Sequence, residues 1–394
     1  MLLSLIIIIT LGIISKRITK RIGLPHIIGL IFLGWVIGPF SMDLIVEEIN
    51  ALSEEIRMLA LIIILVRAGI GLNISTLKKV GKTATLLSFI PCIFEGLTVT
   101  VLAMLLFDLD FAIAGVLGFV LAAVSPAVIV PSMLKLKERG WGMDKGVPVL
   151  VLAAASVDDV VAITLLTSFL SMAAQGGSFQ LVNLGRIPYE IVVALILGAI
   201  VALALNWVLK KIDIKGNDYI GFVFTAAIAI YLLGQVMNIA GLLGIMSFAF
   251  VLKEKAGQSD NQKIKDSFAS LWYVGEIFLF ILIGAQVDIS VIADASILGL
   301  LLIFGGVLAR GLGVMLATIY SDLNIKERLF IVLAFVPKAT VQAAVGGMAL
   351  SMGLAFGEEI LAIAVLSIIV TAPLGAWLIN TFAPKLLIQQ KNTD

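Results

Sequence analysis

The chain has 394 residues, of which 61% are hydrophobic and only 13% charged, with a formal net charge of +1, a single His and a single Cys. Soluble domains carry about 25% charged residues, so a water-soluble fold is excluded and an all-α chain crossing membrane lipid many times is expected. The lone Cys92 and lone His26 exclude an internal disulfide and a cysteine- or histidine-based metal site, and the near-zero net charge gives no case for a nucleic-acid partner.

Apolar runs separated by charged or Gly/Asn-rich breaks predict thirteen spans, over residues 1–15, 24–40, 57–72, 83–106, 111–133, 147–172, 188–209, 219–235, 239–253, 272–290, 295–319, 327–352 and 359–382. In the first, Lys16, Arg17, Lys20 and Arg21 follow the apolar run instead of preceding it, and no small-residue cleavage site is evident. It therefore reads as an uncleaved spanning helix, not a secretory signal. With the N-terminus outside, twenty-two of the 27 Lys and Arg residues fall in inner loops, and Asp43, Glu47, Glu48, Glu54, Glu55, Asp108 and Asp110 fall outside. That alternation predicts a multi-pass protein of the cell (inner) membrane, with its N-terminus outside and its C-terminus cytoplasmic. The tail after the last span is short and no ATPase motif occurs. Any transport would draw on ion gradients, without a nucleotide.

Seven charges remain inside the predicted spans: Arg67, Glu95, Asp158, Asp159, Glu276, Arg310 and Lys338. Arg67 and Glu276 lie toward predicted cytoplasmic ends, where snorkelling accounts for them as readily as function does. The others are near mid-span, where a charge costs roughly 2.5–3.5 kcal/mol on insertion scales and marks a functional site by default. The sixth span holds two of them side by side, in Ser156-Val157-Asp158-Asp159-Val160-Val161. Successive helical residues point about 100° apart. One carboxylate can therefore face an ion cavity while the other faces a neighbouring helix. Ser156 shares the face of Asp159.

In two spans a proline directly adjoins a serine or lysine where a continuous helix is expected. The fifth contains Val124-Ser125-Pro126-Ala127 and the twelfth contains Val336-Pro337-Lys338-Ala339-Thr340-Val341-Gln342. Proline removes a backbone donor, and in lipid the freed carbonyls need polar partners. Spans 1–6 and 8–13 form six-helix repeats of opposite orientation joined by the seventh, and the breaks fall on the fifth helix of each. Interrupted helices at matching positions of inverted halves point to a midplane ion site in a secondary transporter. Lys338 and the opened carbonyls balance the half-helix dipoles there. Glu95 and Arg310 lie on the fourth helices of the two repeats. An ion pair between them is the simplest arrangement, and Arg310 paired with Asp158 is the other.

Sodium is a hard cation that takes oxygen ligands, and Asp159, Asp158, Ser125 or Ser156, Thr340 and opened carbonyls supply them. The same carboxylate oxygens hold a proton or a metal ion, but hardly both, which couples the two without a further device. An intramembrane aspartyl protease is a poor fit, because its two aspartates face each other from separate helices to share a proton. A potassium/proton antiporter and a sodium-coupled organic-anion symporter remain as alternatives.

The Ser125-Pro126 break, the Ser-Val-Asp-Asp-Val-Val stretch, the Pro-Lys-Ala-Thr-Val-Gln-Ala-Ala stretch from Pro337 to Ala344 and the run Leu65 to Leu72 together resemble the monovalent cation:proton antiporters. More closely, they are similar to the sodium/proton antiporter subfamily of solute carrier 9B type. The resemblance implies a thirteen-helix sodium/proton antiporter fold with crossed discontinuous helices, assembled as a homodimer. It implies a dimerisation domain of residues 1–72 and 219–290, a core ion-transport domain of residues 83–172 and 295–382, and a linker helix at 188–209. It implies alternating access and no enzymatic activity or cofactor, only transported sodium or lithium and protons. Asp159 would be the principal carrier with Asp158 assisting, and Lys338, Arg310 and Glu95 would compensate charge. Many electrogenic relatives place a lysine where Arg310 stands, so the arginine, with Glu95 available to neutralise it, leaves the stoichiometry open.

Overall fold

The computed structural model describes residues 1–22, 25–71, 74–174, 181–212, 214, 216–237, 239, 241–286 and 288–390. Among them the regular structure is helical, apart from one isolated bridge between Trp141 and Gln389. The helices are α1 (Leu2–Ile22), α2 (His26–Ile37), α3 (Glu47–Ala51), α4 (Ser53–Gly71), α5 (Ile74–Phe107), α6 (Phe111–Ala122), α7 (Pro126–Glu138), α8 (Val147–Ala174) and α9 (Leu181–Lys211). They continue with α10 (Asn217–Met237), α11 (Gly241–Lys255), α12 (Gln258–Ala285), α13 (Ile289–Ala317), α14 (Ile325–Ala334), α15 (Thr340–Val345), α16 (Met348–Ser351) and α17 (Gly357–Leu386).

Eight stretches among the described residues are helical, long and apolar enough to cross a bilayer: Leu2–Ile22, Gly81–Phe107, Val147–Ala174, Val192–Lys211, Asn217–Met237, Asn261–Ala285, Ile297–Ala317 and Gly357–Leu386. His26–Ile37 and Phe111–Ala122 are shorter apolar helices. A helix satisfies every internal backbone donor and acceptor within itself, which is why lipid selects it. The chain is an all-helical polytopic membrane protein.

Two compact units divide the chain. The first comprises Met1–Ile14, Leu33–Leu72 and Ser178–Ala285. In it, α4 packs against α11 and α12, and α9 packs against α11. These contacts depend on small residues, because lipid tails supply no hydrophobic drive between helices and close packing takes its place. A Cβ on Gly198 would run into the backbone of Gly244 and Phe248, and one on Gly34 into the carbonyl of Ile281. In the same unit α12 begins fourteen residues before the predicted tenth span, because its first turns are polar and escape a hydropathy window while remaining helical. Glu276 therefore lies well inside the helix and is only 6% exposed. Arg67 lies within electrostatic reach of it, with its guanidinium 5.9 Å from the centroid of the Trp272 ring.

The second unit comprises Ser15–Phe32, Asn73–Gly177 and Gln286–Asp394. Its centre is α5, which packs against α6, α8 and α13, while α17 lies on α13, α14 and α7. Gly81 breaks α5 with φ 67° and ψ −155°, a conformation that only glycine adopts readily. The apolar core here includes Leu87, Val124, Ile129, Met133, Val151, Phe330, Phe335 and Ile379. At the lower-numbered end of α14, Asn324 and Glu327 form a reciprocal capping box. Lys145, just before α8, donates to Glu327 and to the carbonyl of Asp322.

Both proline stretches interrupt their helices. The first ends at Ala122, and Ala123 and Ser125 are extended (ψ 146° and 111°) before Pro126 opens α7. Proline at the first helical position loses no bond, since that N–H has no intrahelical partner. The second ends at Ala334, and α15 starts at Thr340 after Ala339 adopts φ −163° and ψ −76°. Residues predicted as one span, 327–352, comprise most of α14 and all of α15 and α16, with the proline break between the first two and Gly346 and Gly347, both right-handed helical, between the last two. Helix α17 passes the second break at Gly375, where a Cβ would strike the ring of Pro337. Overpacking of that kind costs about 1–3 kcal/mol. Gly375→Val is thus expected to lower the unfolding temperature of the detergent-purified protein, and an unchanged midpoint would show that this contact does not hold the break.

Candidate functional site

Five charged side chains from four elements of the second unit form one buried cluster: Glu95 from α5, Asp158 and Asp159 from α8, Arg310 from α13 and Lys338 from the segment between α14 and α15. Arg310 is the hub. Its Nε donates to Glu95 Oε2, its Nη1 to Asp158 Oδ1 at 3.0 Å, and its Nη2 to Asp158 Oδ2 at 3.4 Å and to the carbonyl of Ala122. The two pairings left open by the sequence therefore coexist. Arginine allows this because its planar guanidinium carries five donors in a fixed fork, which the point charge of a lysine does not. The Phe335 ring lies under the guanidinium, with its centroid 5.8 Å away. The remaining oxygen of Glu95, Oε1, pairs with Lys338 Nζ at 2.7 Å. Gly306 leaves room for it, since a Cβ there would stand 3.1 Å from Glu95 Oε1.

Asp158 and Asp159 part company as helix geometry requires. Asp158 is fully buried and also accepts the backbone N–H of Val124 at 3.2 Å. Asp159 is 7% exposed, and its Oδ1 has no hydrogen-bond partner among the described residues. Counting formal charge, Arg310 and Lys338 offset Glu95 and Asp158, so one negative charge is left over and Asp159 carries it.

The two interrupted helices cross and bond to each other here. Ser125 N–H donates to the carbonyl of Pro337 at 2.9 Å, and Thr340 N–H approaches Ser125 Oγ at 3.5 Å. Lys338 N–H donates to Thr371 Oγ1 at 2.9 Å. Gln342 Nε2 donates to the carbonyls of Val120 and Ala123 at 3.1 and 2.7 Å. With Ala122 held by Arg310, the last carbonyls of α6 are thereby satisfied by side chains, as a break at membrane depth requires. Thr340 Oγ1 and Gln342 Oε1 are buried without hydrogen-bond partners among the described residues.

The structure thus brings together Glu95, Ser125, Asp158, Asp159, Arg310, Pro337, Lys338 and Thr340. The side chains of Ser156 and Pro126 lie outside the described residues. Sequence reasoning did not count Gln342 and Thr371 among the site residues. An amide one turn into the helix after a proline break was the signal for the first. Nothing local marks Thr371, which comes from α17 by tertiary packing.

A family model for the sodium/hydrogen exchanger transmembrane region matches residues 5–382. The chain belongs to the sodium/hydrogen exchanger family. It is 34% identical over 388 residues to human sodium/hydrogen exchanger 9B2, covering 94% of this chain and 72% of that protein. It is 31% identical over 385 residues to human sodium/hydrogen exchanger 9B1, covering 92% of this chain and 73% of that one. The fold is shared with the sodium proton antiporter MjNhaP1 from Methanocaldococcus jannaschii, with a TM-score of 0.80 over 96% of this chain and 97% of that one at 22% identity. The chain is a monovalent cation:proton antiporter of solute carrier 9B type, and its homologues are exchangers.

Removing one partner of a buried ion pair costs about 3–5 kcal/mol. Arg310→Ala leaves two carboxylates and a carbonyl without their donor, whereas Glu95→Ala leaves Arg310 its bonds to Asp158. Arg310→Ala is therefore expected to be the more destabilising in detergent unfolding assays, and the double variant is expected to be more stable than additivity by about 0.5–3 kcal/mol. Additive losses would contradict the shared network.

Proposed function

We propose that the protein exchanges sodium or lithium for protons at Asp159 by alternating access. One observation carries this reading. Of the three carboxylates in this cluster, Glu95 and Asp158 have both oxygens against Arg310, Lys338 or Val124 N–H, and Asp159 keeps an oxygen with no hydrogen-bond partner among the described residues. A negative charge sealed away from water needs a counterion. A bound proton or a bound sodium supplies it equally well, and each excludes the other from the same oxygens. The unloaded, charged form is the one that a dry barrier disfavours most, so the site crosses loaded with one ion or the other.

Thr340 Oγ1, Ser125 Oγ and backbone carbonyls of the crossing are the neutral oxygens that would complete a sodium shell with Asp159. Asp158 assists through a negative charge that Arg310 keeps in position. Because Arg310 and Lys338 stay charged throughout, the proton-loaded and sodium-loaded clusters carry the same charge, and one-for-one exchange moves none. We further propose thirteen spans in two inverted six-helix repeats, with the N-terminus outside and the C-terminus cytoplasmic in the cell membrane. The segregation of basic and acidic loops supports this arrangement. Residues 83–172 and 295–382 form the mobile core, residues 1–72 and 219–290 join two copies as a homodimer, and 188–209 links them.

In proteoliposomes, sodium added outside is expected to drive proton movement, and Asp159→Asn is expected to abolish it. The initial rate of the parent protein is expected to be the same with and without an imposed membrane potential. Robust exchange by the Asn variant would overturn the carrier assignment, and a rate that follows the potential would overturn the charge balance.

A further inference from the structure

Gln342 is bound to the crossing by only one half of its amide. Its Nε2 donates to Val120 O at 3.1 Å and to Ala123 O at 2.7 Å. An amide oxygen cannot replace the nitrogen against two carbonyls, so the orientation is settled and Oε1 must point the other way. That oxygen is fully buried, yet it has no hydrogen-bond partner among the described residues. A buried acceptor left bare is costly, and it lies in an element whose other bare oxygen, Thr340 Oγ1, is two residues away.

The chemistry of the surroundings names what such an oxygen is for. Among the described residues, no three Asp, Glu, His or Cys side chains converge as a ligand set for a metal ion. A cation held by Asp159 must therefore complete its shell with neutral oxygens, as hard cations accept from amide and backbone carbonyls and from water. Gln342 is tied to the same two-residue stretch as Asp158, the neighbour of Asp159 on α8. It holds the carbonyl of Ala123, and Asp158 holds the N–H of the next residue, Val124. Resting on the reading that Asp159 carries the ion, we infer that Gln342 Oε1 is a neutral ligand of the transported alkali cation and helps to set the preference among lithium, sodium and potassium, while its NH2 group anchors the end of α6. The proton, which needs one lone pair and no shell, does not use it. Gln342 therefore discriminates between metal ions without affecting proton loading.

Two substitutions separate ligand from anchor. Gln342→Met keeps the length and loses both the oxygen and the donors. Gln342→Glu keeps an oxygen where Oε1 lies and loses the amide donors. In sodium- and lithium-driven exchange by proteoliposomes, the Met variant is expected to raise the apparent KM for sodium about tenfold and to change the lithium-to-sodium KM ratio. The Glu variant is expected to keep a sodium KM no higher than the parent's, even where its maximal rate falls. If the Met variant is not recovered in folded form, the Glu variant decides by itself, read also as stabilisation of the detergent-purified protein against heat by added sodium and lithium. Retained or stronger stabilisation supports the ligand role. A Glu variant stabilised less than the parent, or a Met variant with the parent's KM and lithium-to-sodium ratio, overturns it and leaves the Asp159 reading intact. Unimpaired exchange by Asp159→Asn is the separate result that would remove the reading on which this rests.

Discussion

A guanidinium enclosed in a bundle of apolar helices has to be answered by negative charge, and Arg310 is answered twice. Glu95 and Asp158 come to it from α5 and α8, and the end of α6 reaches it through the carbonyl of Ala122. Four elements are thus fixed relative to one another by one side chain. The desolvation of such a cluster offsets much of its Coulomb attraction, so its value lies less in net stability than in geometry. It specifies where the end of α6 lies, which way Asp158 points, and therefore which way its neighbour on α8 must point.

That geometry accounts for the asymmetry of the aspartate pair. Two adjacent carboxylates on a helix diverge by about 100°, so a partner large enough to capture both oxygens of one cannot also serve the other. Arg310 takes Asp158, and Lys338 is occupied by Glu95. Asp159 keeps the unbalanced charge. The crossing of the broken helices frees backbone groups that a continuous helix would have used internally, and side chains from neighbouring elements bond to them. Membrane burial makes both features expensive, and a mobile counterion relieves the expense.

Much of this was legible in the sequence, for reasons that are local. Apolar runs announced the helices, and the Ser125-Pro126 and Pro337-Lys338 stretches announced the breaks, because proline chemistry acts on its own turn. Five of the seven charges inside apolar runs, those near mid-span, marked the region of interest without any structure. Other features were not local. Charge balance alone allowed Arg310 to pair with Glu95 or Asp158, and only the positions of three helices revealed that one fork reaches both. Helix α12 begins before the predicted span because hydropathy reports lipid exposure and a helix can extend beyond the lipid. Gln342 was visible as a residue, but its divided role depends on carbonyls 219 and 222 positions away in the chain.

The central claim is that one carboxylate holds either a proton or an alkali cation, and binding tests this without transport. Sodium added to weakly buffered, detergent-purified protein should displace about one proton per sodium bound, with an apparent affinity that weakens as the pH falls, and the displacement should vanish when Asp159 is replaced by asparagine. Sodium binding of constant affinity across the pH range, with no proton released, would contradict the account.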